Sequence, residues 1–177
     1  MIATSTWTIV PVIAGAVTAA FGLVTWFVNG VRTERTRLQK LYADAYSAVI
    51  SYQEFPYAIR RRRAPSPEQE QLGNEERLRI STALHTVQES LNNYLAQIST
   101  ESRPVYERYA KLVAETRRVA GTYVHEAWHA PPLDNDPGMN ISGVDYSNLA
   151  EPQQEYLEAV KSDMTFWRIA IPYIRKD

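Results

Sequence analysis

The chain has 177 residues, 45% of them hydrophobic, which is enough for one folded domain with a buried core. Its 19 basic and 20 acidic side chains leave a formal net charge of -1. It therefore lacks the overall basic character of nucleic-acid-binding proteins, and we expect no nucleic-acid partner. The absence of cysteine excludes disulfides and thiolate metal ligands. Arginine outnumbers lysine 15 to 4, a bias that we interpret as typical of a GC-rich bacterial genome.

The first 31 residues carry no charged side chain, and residues 9 to 28 form an apolar run interrupted only by small residues, one proline and two threonines. About twenty helical residues reach roughly 30 Å, the thickness of the hydrocarbon core of a bilayer. Trp7 at one end of the run, and Trp26 with Phe27 at the other, suit the two membrane interfaces. The run therefore predicts a transmembrane helix. A cleaved signal peptide is the alternative, but it requires a positively charged start that this chain lacks.

The charges beside the apolar run predict its orientation. Basic side chains follow it at once, at Arg32, Arg35, Arg37 and Lys40, and the positive-inside rule places them in the cytoplasm. We therefore expect a single-pass protein of the inner (cytoplasmic) membrane with its N-terminus outside. In this interpretation residues 1–31 form an extracytoplasmic tip and the anchor, and residues 32–177 form a cytoplasmic bundle with a long loop at 130–150. Membrane lipid is then an expected partner.

Small residues recur along one side of the same run, at Ala14, Gly15, Thr18, Ala19 and Gly22. Such a stripe lets the backbone of another helix approach closely. It predicts either self-association into a homo-oligomer or packing against a protein partner. The alternative is that the stripe has no role, since small residues are common in membrane helices.

Beyond Arg32, four segments carry apolar residues at alternating steps of three and four, the period of one helix face. The first two faces comprise Leu38, Leu41, Ala45, Ala48, Tyr52 and Phe55, then Ile80, Leu84, Val87, Leu91, Tyr94 and Ile98. The other two comprise Val105, Tyr109, Leu112, Thr116, Val119 and Tyr123, then Leu157, Val160, Met164, Trp167, Ile171 and Ile174. The pattern predicts an all-α fold, with an N-terminal single transmembrane helix followed by an antiparallel bundle of about four helices.

Prolines mark the predicted limits of these helices. Pro56 removes a backbone donor and predicts a kink near Phe55. Pro104 and Pro152 suit the first turns of the third and fourth helices. Residues 130 to 150 are dense in Pro, Gly, Asn and Asp and predict a loop.

The sequence "HEAWH" places His125, Glu126 and His129 in the H-E-x-x-H spacing of zinc metallopeptidases. In that spacing two imidazoles hold the metal, the glutamate is the general base, and a third ligand comes from elsewhere. Glu155 is a candidate for the third ligand. A membrane-bound zinc metallopeptidase is therefore one functional hypothesis, and metal binding by the two histidines without catalysis is another.

Three observations favour a helix-end surface over a peptidase site. The two histidines project away from the apolar face of the third helix, towards the side expected to be solvated. Pro131 and Pro132 end the helix directly after the motif, and no strand is predicted on which a peptide substrate can lie. We therefore expect no catalytic residue, no bound metal and no cofactor.

Four consecutive arginines, Arg60 to Arg63, form a candidate contact for an anion or a partner. The alternative is a solvated run at the C-terminal end of a helix, where cations complement the helix dipole. Together these features predict a non-catalytic, membrane-tethered interaction or assembly module, as a sensor or effector component. The alternatives are the metallopeptidase and an oligomeric effector that acts on the membrane itself.

Overall fold

The computed structural model describes residues 9–63, 70–133 and 144–165, with side chains from residue 21 onwards. Within these ranges there are five α-helices: α1 (Ile9–Gln53), α2 (Phe55–Arg60), α3 (Glu70–Glu101), α4 (Arg103–His129) and α5 (Ala150–Asp163), the last preceded by a 3-10 turn at Ser147–Leu149. The described residues contain no strand. The predicted all-α class is confirmed.

The chain divides into two compact units. One comprises Met1–Gln39 with Met164–Asp177, and the other comprises Lys40–Asp163. The boundary that the sequence predicted after residue 31 lies inside α1, which runs without a break from Ile9 to Gln53. We call the unit of Lys40–Asp163 the bundle.

The predicted membrane anchor is wrong. Among the helices of the described residues, none combines the length and apolarity needed to cross a membrane. Helix α1 becomes charged at Arg32, Glu34 and Arg35. The expected single-pass placement in the inner membrane, with the N-terminus outside, is overturned by this finding.

Helix α4 contacts α2, α3 and α5. Nine of its residues are buried: Val105, Tyr109, Leu112, Val113, Thr116, Val119, Ala120, Val124 and Ala127. The predicted faces of the first and third helices are confirmed, since all their members are buried except Tyr123, which is half-buried. On α3 only Ile80, Leu91 and Ile98 are fully buried.

The predicted face of the last helix is buried only in part where the structure describes it. Val160 and Met164 are half-buried. Leu157 is 49% exposed, whereas its neighbour Tyr156 is 1% exposed. Pro152 and Asp163 are the other buried residues of α5, and they share a face with Tyr156 because they lie four residues before it and seven after it. The predicted members Trp167, Ile171 and Ile174 lie outside the described residues.

Hydrogen bonds define the directions of the bundle helices. The Tyr109 hydroxyl of α4 donates to the Ala45 carbonyl of α1 (3.1 Å). Further along both helices, a Cβ on Gly121 would lie 3.7 Å from the Tyr52 hydroxyl. Both contacts occur in the same order along the two helices, so α1 and α4 run parallel. Arg117 of α4 donates to Asn92 of α3 (2.7 Å). Since α3 and α4 are joined by a single residue, this bond fits an antiparallel pair.

The breaks between helices follow from local chemistry. Pro56 has no N–H to donate and its ring clashes with the preceding turn, so α1 ends at Gln53 and α2 begins at Phe55, with the proline in its first turn. Ser102 alone separates α3 from α4, and α4 also has a proline in its first turn. The predicted kink near Phe55 thus coincides with the boundary between α1 and α2, at Glu54.

Candidate functional site

The H-E-x-x-H residues occupy the last turn of α4. The helix ends at His129 because Ala130 takes an extended conformation (φ -78°, ψ 150°), and the Ala130 N–H still donates to the Glu126 carbonyl. Two prolines follow and cannot extend the helical hydrogen bonds. His125, Glu126 and His129 are all exposed.

The two imidazoles lie side by side on the surface. Their ring centroids are 4.3 Å apart, with the ring planes inclined at 45°. Nδ1 of His129 lies 2.8 Å from the carbonyl oxygen of His125. A carbonyl oxygen only accepts, so Nδ1 carries the proton in this bond, and the neutral ring keeps the lone pair on Nε2.

The structure does not bring Glu155 to the histidines. Its carboxylate accepts hydrogen bonds from Lys111 Nζ at 2.9 and 3.0 Å and from Arg108 at 3.3 Å. The hydrogen bond from Lys111, with the charges of both basic groups, holds the pKa of the Glu155 carboxyl below its ordinary value. Lys111 precedes His125 by fourteen residues on α4, which is about 21 Å along the helix axis.

A zinc peptidase needs three protein ligands around one metal and a shielded open position for water. Within the described ranges no group of three or more His, Cys, Asp or Glu side chains can hold a metal ion. The candidate general base Glu126 is exposed. Among the described residues, no third metal ligand lies close to His125 and His129. The chemistry that this arrangement offers is ligation by two imidazoles.

The four consecutive arginines have different surroundings. Arg62 is 7% exposed. Its guanidinium donates hydrogen bonds of 2.8 to 3.2 Å to four backbone carbonyls, those of Ile59, Ala127, Trp128 and Ala130. It also lies 5.4 Å from the centroid of the Trp128 ring, within range of a cation–π contact. Arg62 therefore joins the ends of α2 and α4, and is not a surface contact for an anion.

Burial lowers the pKa of Arg62, and nearby Arg77 and Arg60 lower it further. The neighbouring residues behave differently: Arg61 and Arg63 are exposed, and the backbone N–H of Arg63 donates to Glu76 (2.9 Å). The side-chain Nε of Arg60 is buried without a hydrogen-bond partner. A carboxylate thus lies beside the exposed part of the run, which weakens it as an anion site.

The first unit presents an apolar surface on α1. Five large hydrophobic side chains are between 54% and 71% exposed: Phe21, Leu23, Val24, Trp26 and Val28. A Cβ built on Gly22 meets nothing within 4 Å, so the space beside that backbone is open. We call residues 21–28 the α1 apolar segment. Of the predicted small-residue stripe, Ala14, Gly15, Thr18 and Ala19 have side chains outside the described residues.

Sequence reasoning missed a buried polar cluster in the bundle. Asp163, the last residue of α5, accepts a hydrogen bond from the Tyr42 hydroxyl and another from the Ser102 hydroxyl, each 2.7 Å long. Burial, reinforced by the carboxylate of Asp163, raises the pKa of the Tyr42 phenol above its ordinary value. Asp163 follows Tyr156 by seven residues and shares its helix face, but no feature of the sequence marks that face as buried.

Comparison of the chain with protein-family models, with curated proteins and with solved structures finds no match.

Proposed function

We propose that the chain is a non-catalytic assembly module that associates with further copies of itself through the α1 apolar segment. One observation carries the proposal: five large apolar side chains of this segment are more than half exposed. Single chains rarely leave contiguous apolar surface of this kind uncovered, and where it occurs it marks an interaction site. An exposed apolar helix is a surface for binding, which is why the proposed role is assembly.

The distribution of these side chains around the helix favours several copies over one flat partner. Successive residues are about 100° apart, so residues 21, 23, 24, 26 and 28 point in directions spread over about 220° of the axis. A single flat surface covers only one side of a helix. A helix that is apolar over more than one side is buried when several other helices pack against it, and symmetric self-association supplies those helices from one sequence.

Gly22 supports close packing between such helices. It has open space where a Cβ would lie, and a residue without a side chain lets a neighbouring backbone approach closely. The surrounding Phe21, Leu23 and Trp26 then supply apolar area to bury. Burial of one leucine or phenylalanine side chain contributes about 1.5 to 3 kcal/mol.

The oligomeric state of the full-length chain tests the proposal. Sedimentation equilibrium over a range of concentrations should show reversible self-association. Leu23→Gln and Trp26→Gln should each raise the dissociation constant about tenfold or more, because each removes apolar area from the interface. Leu78→Gln is the matched control, since Leu78 on α3 is 69% exposed and Leu23 is 68% exposed.

Two results would contradict the proposal. The first is a chain that is monomeric at every concentration, as it would be if a different protein covers the α1 apolar segment. The second is an equal loss of association in Leu78→Gln and Leu23→Gln, which would show that general surface hydrophobicity, and not this segment, drives the contact.

A further inference from the structure

The last turn of α4 carries a feature that the proposed assembly does not use. We propose that His125 and His129 form a two-imidazole binding site for a divalent transition-metal ion, with Cu²⁺ preferred over Ni²⁺ and Zn²⁺. The site is independent of peptidase chemistry, because it needs neither the general base nor the third ligand. It is also independent of the α1 apolar segment, which belongs to the other unit.

The spacing places both rings on one face of the helix. Residues four apart are neighbours on a helix surface, and here the ring centroids are 4.3 Å apart. Both side chains are exposed, so an ion reaches them without any opening of the bundle. Two imidazoles already held close together bind one ion as a chelate, which is stronger than two separate single contacts.

The hydrogen bond of His129 prepares that ring as a ligand. Its Nδ1 donates to the His125 carbonyl at 2.8 Å, which leaves the Nε2 lone pair available. Histidines that ligate metals commonly donate their other ring N–H to a carbonyl or carboxylate, since this bond selects the tautomer and orients the ring. In this chain the backbone of α4 itself supplies the acceptor.

The charges around the site determine which ions suit it. The C-terminal end of a helix is partly negative and attracts a cation. The Arg62 guanidinium opposes this attraction, because it is bound to the nearby carbonyls of Ala127 and Ala130. A hard ion held mainly by charge, such as Mg²⁺ or Ca²⁺, therefore gains little here. Ions that form directional bonds to imidazole nitrogen suit the site, and for such ligands the affinity order peaks at Cu²⁺.

The test is calorimetric titration of CuCl₂, NiCl₂ and MgCl₂ into the full-length chain, prepared without a histidine tag. We expect one Cu²⁺ per chain, weaker Ni²⁺ binding and no heat from Mg²⁺. His125→Ala and His129→Ala should each weaken Cu²⁺ binding about tenfold or more, because either change abolishes the chelate. His85→Ala is the matched control: His85 is an exposed histidine on α3 whose Nε2 lies 3.2 Å from Glu89.

Electron paramagnetic resonance of the Cu²⁺-bound chain gives a second measurement, which should show coupling to imidazole nitrogen that His129→Ala reduces. The proposal is overturned if Cu²⁺ binding is unchanged in both His125→Ala and His129→Ala, or if His85→Ala weakens it as much as they do. Leu23→Gln should bind Cu²⁺ as the parent chain does. A failure of the metal site is therefore distinguishable from a failure of self-association.

Discussion

Tyr156 and Leu157 are neighbours on α5, and the structure buries the more polar of the two. The Tyr156 hydroxyl donates to the Tyr42 carbonyl (2.8 Å), and its ring lies 5.4 Å from the Tyr109 ring. Because the hydroxyl finds an acceptor in the core, the ring is buried without leaving an unsatisfied polar atom. Burial raises the pKa of the Tyr156 phenol above its ordinary value. Hydropathy alone favours Leu157 and therefore selects an exposed position.

The loss of stability on truncating a leucine to alanine tests which leucines are buried and which are exposed. Leu112 is fully buried, and Leu112→Ala should reduce the free energy of unfolding by about 2 to 4 kcal/mol, because it removes packed methyl groups and leaves a cavity. Leu157→Ala should change it by less than about 0.5 kcal/mol, since the side chain is half exposed. Denaturant unfolding of the two variants measures both values. Equal losses would contradict the placement of Leu157.

At the scale of the helices, the end of α4 depends on a side chain from another part of the chain. The last carbonyls of a helix have no partner within the helix. Arg62, which follows α2, donates to three carbonyls at the end of α4, those of Ala127, Trp128 and Ala130. A run of four arginines gives no indication of which member is buried, because that depends on where the end of α4 lies relative to α2.

Removing that guanidinium should weaken the bundle. Arg62→Ala removes the side-chain donor from three buried or part-buried carbonyls at the end of α4, and we expect a loss of about 2 to 4 kcal/mol in the free energy of unfolding. The Ile59 carbonyl keeps the backbone N–H of residue 62 as a donor (3.2 Å). Arg61→Ala is the control at an exposed position, with an expected change below about 0.5 kcal/mol. Amide hydrogen exchange should also become faster at the end of α4 in Arg62→Ala. If the two variants have the same stability, Arg62 does not stabilise this helix end.

At the scale of the whole bundle, one carboxylate connects distant parts of the chain. Asp163 is 121 residues from Tyr42 and 61 residues from Ser102, and it accepts a 2.7 Å hydrogen bond from each. The three residues belong to α5, to α1 and to the junction before α4. Hydrogen bonds to a buried charged group contribute more than those between neutral groups. The cluster therefore stabilises the mutual placement of three helices.

Loss of this carboxylate should reduce the stability of the whole bundle. Asp163→Ala leaves two buried hydroxyls without their acceptor, and we expect it to reduce the free energy of unfolding by about 2 to 4 kcal/mol. Ser162→Ala, one residue earlier at an exposed position, should have little effect. The double variant Asp163→Ala with Tyr42→Phe should lose less than the sum of the two single changes, because both remove the same bond. Additive losses would show that the two groups are not coupled.

The sequence by itself determined the helical class and most of the core. Apolar residues repeat with the helix period, and burying those faces together requires a bundle, so Leu41, Leu91 and Leu112 are buried as predicted. Prolines likewise determine where helices break, since the missing N–H is a property of the residue itself. Local periodicity and backbone chemistry need no knowledge of the rest of the fold.

Only the tertiary structure decided the polar contacts and the distances between distant residues. The sequence proposed Glu155 as a ligand beside His125 and His129, whereas the fold pairs Glu155 with Lys111 instead. It also predicted a membrane helix from the apolar start, whereas no helix of the described residues is long and apolar enough to be one. Arg62, Tyr156 and Asp163 are buried because their polar atoms find partners far along the chain. Such partners exist only once the helices have packed, which is why no local pattern reveals them.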